Sequence, residues 1–127
     1  MEKKPVHVLI VEDDNFLAEI YQKKFTLEGY KVQSVNNGEK ALLEAKKKRP
    51  DIILLDILLP KLDGFAVLEK LKADAATRSI PVILLTNLGQ RDDVEKGLQV
   101  GAVDYLIKAH FKPSEVIDKV RKVLGEK

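Results

Sequence analysis

Short continuous apolar runs alternate along this chain with longer stretches in which apolar residues recur every three or four positions. Val6-His7-Val8-Leu9-Ile10-Val11, Asp51-Ile52-Ile53-Leu54-Leu55, Pro81-Val82-Ile83-Leu84-Leu85 and Val103-Asp104-Tyr105-Leu106-Ile107 have the length of strands. Ile52-Ile53-Leu54-Leu55 and Val82-Ile83-Leu84-Leu85 show no polar alternation, which predicts burial on both faces and hence a parallel sheet covered by helices. The alternation occurs five times, predicting an α/β chain of (βα)5 type around a doubly wound, five-stranded parallel sheet.

The periodic segments predict five helices. The first is expected to start near Asp14 or Asn15, either of which can cap it, to present Leu17, Ile20, Tyr21 and Phe25 on one face, and to end at Gly29. The second begins after Asn37, packs through Ala41, Leu42 and Ala45, and stops before Pro50. The third opens at Asp63-Gly64 and buries Val67, Leu68 and Leu71. The fourth, roughly residues 91–99, has Val94 and Leu98 as its apolar anchors. It carries Gly97 inside, at a cost of about 1 kcal/mol relative to Ala, and is expected to be the loosest helix. The last starts with Pro113 at its first position and carries the stripe Val116, Ile117, Val120, Val123 and Leu124.

At 127 residues the chain suits a single domain spanning residues 1–127. A hydrophobic share of 45% and a charged share of 33%, with no apolar run near the roughly 20 residues of a membrane helix, suit a soluble protein. Met1-Glu2-Lys3-Lys4-Pro5 does not resemble a secretory leader, so a cytoplasmic location is expected. The absence of cysteine excludes disulfides, thiolate metal sites and thiol catalysis. Net charge is +2 and the basic residues are not interleaved with aromatics, so direct nucleic-acid binding is not expected. The densest basic run, Lys46-Lys47-Lys48-Arg49, falls at a predicted helix C-terminus, where cations each contribute about 0.3–1 kcal/mol against the macrodipole. Docking of an acidic partner is the alternative use of that run.

The candidate chemistry lies at the strand ends. Asp56 follows a buried run, Glu12-Asp13-Asp14 follows the first strand, Thr86 the fourth and Lys108 the fifth. Open α/β sheets place their ligands at this carboxyl edge. Glu12, Asp13 and Asp56 gathered there would repel one another unless protonated or neutralised by a cation, and hard oxygen donors of this kind suit Mg²⁺. Lys108 and Thr86 could hold the oxygens of a transferring phosphoryl group, leaving Asp56 as the nucleophile that forms an aspartyl phosphate. Each piece alone has a bland reading, Asp13 and Asp14 as caps and Lys108 as a solvated amine. All of them together, in this order and all at strand C-termini, form a specific constellation.

These segments resemble the receiver domain of bacterial two-component response regulators, over essentially the whole chain and in the manner of stand-alone chemotaxis-type receivers. The matching stretches are Val8-Leu9-Ile10-Val11-Glu12-Asp13-Asp14, Asp51-Ile52-Ile53-Leu54-Leu55-Asp56, Leu59-Pro60-Lys61-Leu62-Asp63-Gly64, Pro81-Val82-Ile83-Leu84-Leu85-Thr86 and Gly101-Ala102-Val103-Asp104-Tyr105-Leu106-Ile107-Lys108. The resemblance implies a flavodoxin-like sheet of strand order 2-1-3-4-5. It also implies Asp56 as phosphoacceptor, Asp13 as a direct Mg²⁺ ligand, Glu12 as a ligand through water and Leu58 as a ligand through its backbone carbonyl. Thr86 resembles the switch hydroxyl, Lys108 the phosphate-binding lysine and Tyr105 the aromatic rotamer switch, with Asp14 a cap beyond the acidic pair.

The implied function is phosphoacceptor signalling. A histidine kinase or histidine phosphotransfer protein supplies the phosphoryl group, the fourth-helix to fifth-helix face is remodelled, and a downstream protein reads it. Self-phosphorylation would be single turnover, with no enzyme activity in the ordinary sense, and the domain a monomer or weak dimer.

Three features depart from the family pattern. Ala109 follows the lysine where the family has a proline joined by a cis bond, and since a cis non-proline bond costs about 2.5–4 kcal/mol, trans is expected here. Asn87 is larger than the small residue the family favours after the switch threonine. Leu58 and Leu88 are bulky apolar groups where access of hydrolytic water is controlled, so a long-lived phosphorylated state is expected. His7, early in the first strand, reads as a packing or surface histidine, and His110 as loop decoration or a partner contact.

Two rival functions remain. A Mg²⁺-dependent phosphohydrolase with an aspartyl-phosphate intermediate, of the haloacid-dehalogenase-like kind, needs an Asp-x-Asp motif after its first strand, and Glu12-Asp13-Asp14 lacks that spacing. A non-phosphorylated, receiver-like interaction domain would be expected to lose part of the set Glu12, Asp13, Asp56, Thr86 and Lys108, and only Ala109 speaks for it.

Overall fold

Burial on both faces, expected for the continuous apolar runs, holds throughout β3 (Ile52–Asp56) and β4 (Val82–Thr86), where every residue is buried. The computed structural model describes residues 5–57, 59, 63–86, 91–108 and 112–125. Its remaining strands are β1 (His7–Val11), β2 (Lys31–Val35) and β5 (Asp104–Ile107). The helices are α1 (Asn15–Leu27), α2 (Gly38–Lys48), α3 (Gly64–Ala73), α4 (Arg91–Val100) and α5 (Pro113–Leu124).

All neighbouring strands pair in parallel, in the order β2-β1-β3-β4-β5. The two-residue side-chain alternation of the strands splits the core into two layers. Leu9, Val11, Ile53, Leu55, Val82 and Leu84 meet Ala41 and Ala45 of α2 and Val67, Leu68 and Leu71 of α3. On the other face Val8, Ile10, Leu54, Leu85 and Leu106 meet Tyr21 and Phe25 of α1 and Val116, Ile117 and Val120 of α5. This is the doubly wound arrangement the alternation implied. Among the described residues no helix is long and apolar enough to cross a membrane.

The helix starts follow the local chemistry of the sequence. Asp14, Asn37 and Asp63 each accept a backbone N–H of the first turn through Oδ1, from Leu17, Lys40 and Ala66 respectively. Such a cap contributes on the order of 1 kcal/mol over Ala. Pro113 opens α5 and Gly29 follows the end of α1, both as expected. Lys46, Lys47 and Lys48 occupy the last turn of α2, where the macrodipole favours them.

Two details of packing differ from expectation. In α1 the buried residues are Ala18, Tyr21 and Phe25, whereas Leu17 and Ile20 are only partly covered. In α4, Leu98 is 39% exposed and so not an anchor. Gly97 takes that role instead, because a Cβ there would overlap the side chain of Leu84 and touch Phe65. Lys96, next to it, lies 4.8 Å over the Phe65 ring. The glycine is what lets α4 lie flat on β4, so its low helix propensity is offset by close packing.

Candidate functional site

Strand register brings the chemistry together. Val11 pairs with Val35 and Leu55, Asp56 with Leu85, and Thr86 with Ile107, so all the strands end at one edge. Ile10, Leu54 and Leu106 point into the layer beneath α1 and α5. Two residues further along each strand, the same alternation carries Glu12, Asp56 and Lys108 to that side.

There they meet. Lys108 Nζ donates to Asp56 Oδ2 at 2.7 Å and lies 2.6 Å from Glu12 Oε1. Glu12 and Asp56 are buried and Lys108 is largely covered. The second carboxylate oxygen of Glu12 accepts the backbone N–H of Asp14 at 3.1 Å. Its first, despite the short ion-pair distance, receives no well-aligned hydrogen bond. We read the contact with Lys108 as mainly coulombic.

The electrostatics follow from that burial. Burial pushes the Glu12 carboxyl up to about 7; Lys108 pulls against this and the nearby Asp56 charge adds to it. Burial disfavours the Lys108 ammonium, but the hydrogen bond to Asp56 and the charges of Asp56 and Glu12 outweigh it and hold the amine above its ordinary value. Oxygens of Glu12, Asp13 and Asp56 lie within 4.8 Å of one another. Among the described residues Lys108 pairs with two of these three carboxylates, and the Glu12 oxygen lacking an aligned donor remains. This donor set, all hard oxygen, fits a small divalent cation.

Thr86 is buried at the end of β4 on the opposite side of the sheet, the side of Val82 and Leu84. Leu84 pairs with Tyr105 and Thr86 with Ile107, so Tyr105 is the diagonal neighbour of Thr86 on that face. Tyr105 is 38% exposed.

Gly64 is a site-building residue whose role sequence reasoning read only as a helix start. Its N–H donates to Ile57 O at 2.8 Å, and a Cβ would collide with the backbone of Asp56 and Ile57. Only glycine lets the N-terminus of α3 close against the end of β3. The Asp-Gly pair shortly after the candidate nucleophile was the available signal. Leu58, Asn87, Leu88, Ala109 and His110 lie outside the described residues, and with them the peptide bond between Lys108 and Ala109. His7 opens β1 at the far edge, its N–H donating to Asp51 Oδ2 at 2.8 Å.

Comparison with known proteins places this geometry. The probable transcriptional regulator ycf27 of Pyropia yezoensis is 38% identical over 124 residues, covering 98% of this chain and 49% of that protein. The DNA-binding dual master transcriptional regulator RpaA of Synechocystis is 40% identical over 117 residues, 92% of this chain and 48% of that one. The chain thus spans about half the length of these curated relatives. A crystal structure of a putative response regulator from Chloroflexus aurantiacus superposes with a TM-score of 0.90 at 34% identity, covering 97% of this chain and 100% of the other. The receiver domain of the sensor histidine kinase PA1611 from Pseudomonas aeruginosa, with a magnesium ion coordinated in its active site cleft, gives 0.87 at 32%, covering 97% and 100%. A family model described as the response regulator receiver domain matches residues 8–121. With the strand order, the acidic edge and this match in agreement, the chain belongs to the receiver domains of two-component response regulators.

Proposed function

We propose that residues 1–127 act as a single receiver unit that takes a phosphoryl group onto Asp56 from a phosphohistidine donor, a histidine kinase or histidine phosphotransfer protein. One observation carries this reading: the buried Asp56 carboxylate has Lys108 Nζ at 2.7 Å and the oxygens of Glu12 and Asp13 within 4.8 Å.

In the transfer an Asp56 carboxylate oxygen forms the new bond to phosphorus while the P–N bond to the donor imidazole breaks. An ionised carboxylate nucleophile has no proton to lose, so no separate base is needed. Lys108, already beside Asp56, follows the charge onto a phosphoryl oxygen, and the Thr86 hydroxyl donates to another. Glu12, Asp13, Asp56 and the Leu58 carbonyl would hold Mg²⁺, directly or through water. When bound, the ion neutralises charge shared between the carboxylates and the phosphoryl oxygens. Self-phosphorylation is single turnover, since the product stays on the chain until it hydrolyses. Leu58, Asn87 and Leu88 favour slow loss of that group.

Output follows from the Thr86–Tyr105 diagonal. Drawing Thr86 toward a phosphoryl group frees space on the β4–β5 face, into which Tyr105 turns, altering the surface that α4 and α5 offer to a protein target. The relatives named as transcriptional regulators are about twice as long as this chain. With a net charge of +2 and basic residues not interleaved with aromatics along the sequence, the receiver itself is proposed to contact protein rather than nucleic acid, in the cytoplasm.

Intact-protein mass after incubation with a small phosphodonor tests the reading, with and without Mg²⁺ and beside Asp56→Asn. One added phosphoryl group that needs both the ion and Asp56 is expected. No adduct, with the donor shown active on another receiver, would favour a non-phosphorylated interaction domain, and continuous release of phosphate would favour a phosphohydrolase.

A further inference from the structure

Tyr21 is a buried titratable side chain that phosphoryl transfer onto Asp56 leaves without a task. It lies on the inner face of α1, 3% exposed, in the layer that holds Ile10, Leu54 and Leu106. Glu12, Asp56 and Lys108 stand two positions further along those same strands. α1 begins at that end of the sheet, because only Glu12, Asp13 and Asp14 separate β1 from Asn15. Tyr21 sits fewer than two turns below Asn15, and helical side chains lean toward the helix N-terminus. Its ring therefore rises over the apolar layer toward the carboxyl edge, with the hydroxyl leading.

The electrostatics agree with this placement. Burial pushes the Tyr21 phenol above its ordinary value; Lys108 opposes the shift, and Glu12 and Asp56 add to it. All three charges of the site thus act on one hydroxyl, which keeps its proton at neutral pH and is available as a donor. Among the described residues that hydroxyl makes no hydrogen bond, although buried tyrosines ordinarily find a partner for it. Glu12 Oε1, also buried, receives no aligned donor. A donor without an acceptor and an acceptor without a donor therefore end at one cluster, and native proteins seldom leave either unmet.

The need of Glu12 grows during the reaction. At rest Lys108 Nζ lies 2.6 Å from Glu12 Oε1 and offsets its charge. When the ammonium follows the charge onto a phosphoryl oxygen, Glu12 Oε1 loses it. We propose that Tyr21 is a positioning residue for the phosphoryl transfer: its hydroxyl donates to Glu12 Oε1, directly or through one water, and holds this carboxylate as Lys108 leaves it. Without that donor the unrelieved Glu12 charge retains Lys108 and the transfer slows. The inference rests on Asp56 being the phosphoacceptor.

A double-mutant cycle tests it, with phosphorylation by a small phosphodonor at saturating Mg²⁺ followed by intact-protein mass. Tyr21→Phe keeps the ring in the core and removes only the hydroxyl, and urea midpoints verify folding. Its transfer rate is expected to fall about tenfold, as for loss of one hydrogen bond to a charged group. In a Lys108→Met background, where no ammonium has to move, the same change is expected to alter the rate by less than about twofold. A purely structural tyrosine would lower both rates alike. A second readout needs no transfer: the NMR resonance of Tyr21 Cζ is expected to shift on Glu12→Gln. A Tyr21→Phe rate within about twofold of the wild type, an equal loss in both backgrounds, or a Cζ resonance indifferent to Glu12→Gln overturns the proposal. Wild-type phosphorylation of Asp56 in the same series leaves the receiver reading standing in each of those cases. A wild type that takes no phosphoryl group overturns both.

Discussion

Lys108 Nζ stands 2.7 Å from Asp56 Oδ2 and 2.6 Å from Glu12 Oε1, joining residues from the ends of three strands. Neither carboxylate is exposed, and among the described residues the Lys108 ammonium pairs with both. Removing it as Lys108→Ala is expected to destabilise the metal-free protein by about 1–3 kcal/mol, because two buried carboxylates lose this countercharge. Added Mg²⁺ is expected to recover most of the loss. Urea unfolding with and without the ion checks this, and a loss that Mg²⁺ leaves untouched would argue against the acidic edge as a metal site.

Glu12 links the site to pH. Its folded-state value of about 7 lies above its ordinary 4.5, so its contribution to stability is full below about 4.5 and is lost as pH rises toward 7. A cation must displace that proton to use the carboxylate. Mg²⁺ binding is therefore expected to release close to one proton near pH 6 and little above pH 8, seen as a buffer-dependent heat in titration calorimetry. Glu12→Gln is expected to remove the buffer dependence.

His7 behaves in the opposite sense. Burial first, then Lys31 and Lys48, lower its value from 6.5, with Asp51 opposing. The unfolded chain therefore takes up the proton first. Its stabilising contribution is present above about 6.5 and lost as pH falls through the lower folded value. His7→Gln is expected to flatten the acid side of the stability profile between about pH 7 and pH 5, measured as urea midpoints.

Helix propensity says Gly97→Ala should gain about 1 kcal/mol. Packing says otherwise, since the new methyl would overlap the fully buried Leu84. The expected net effect is a loss of about 1–3 kcal/mol, typical of overpacking. Combining it with Leu84→Ala should show favourable coupling, the second change relieving the first. Equal and additive effects would mean that α4 simply shifts outward.

Much of this protein was determined by its sequence alone, and for local reasons. Strand runs with no polar alternation implied burial on both faces, Asp14, Asn37 and Asp63 marked helix starts, and carboxylates, hydroxyl and amine stood directly at strand ends. Such features depend on residues next to one another in the chain, so they survive without knowledge of the fold. Tertiary structure decided what depends on neighbours distant in sequence. It turned Gly97 from a defect into the contact point of α4 with Leu84, exposed Leu98, and made Gly64 the residue that closes α3 on β3. It also set Lys108 between Asp56 and Glu12 and placed Tyr105 diagonally from Thr86. Periodicity tells which side of a helix is apolar, but which apolar residue meets a partner is set by the register and approach of elements far away in the chain; Phe16 and Leu27 therefore look like ordinary helix residues until the fold leaves them facing outward.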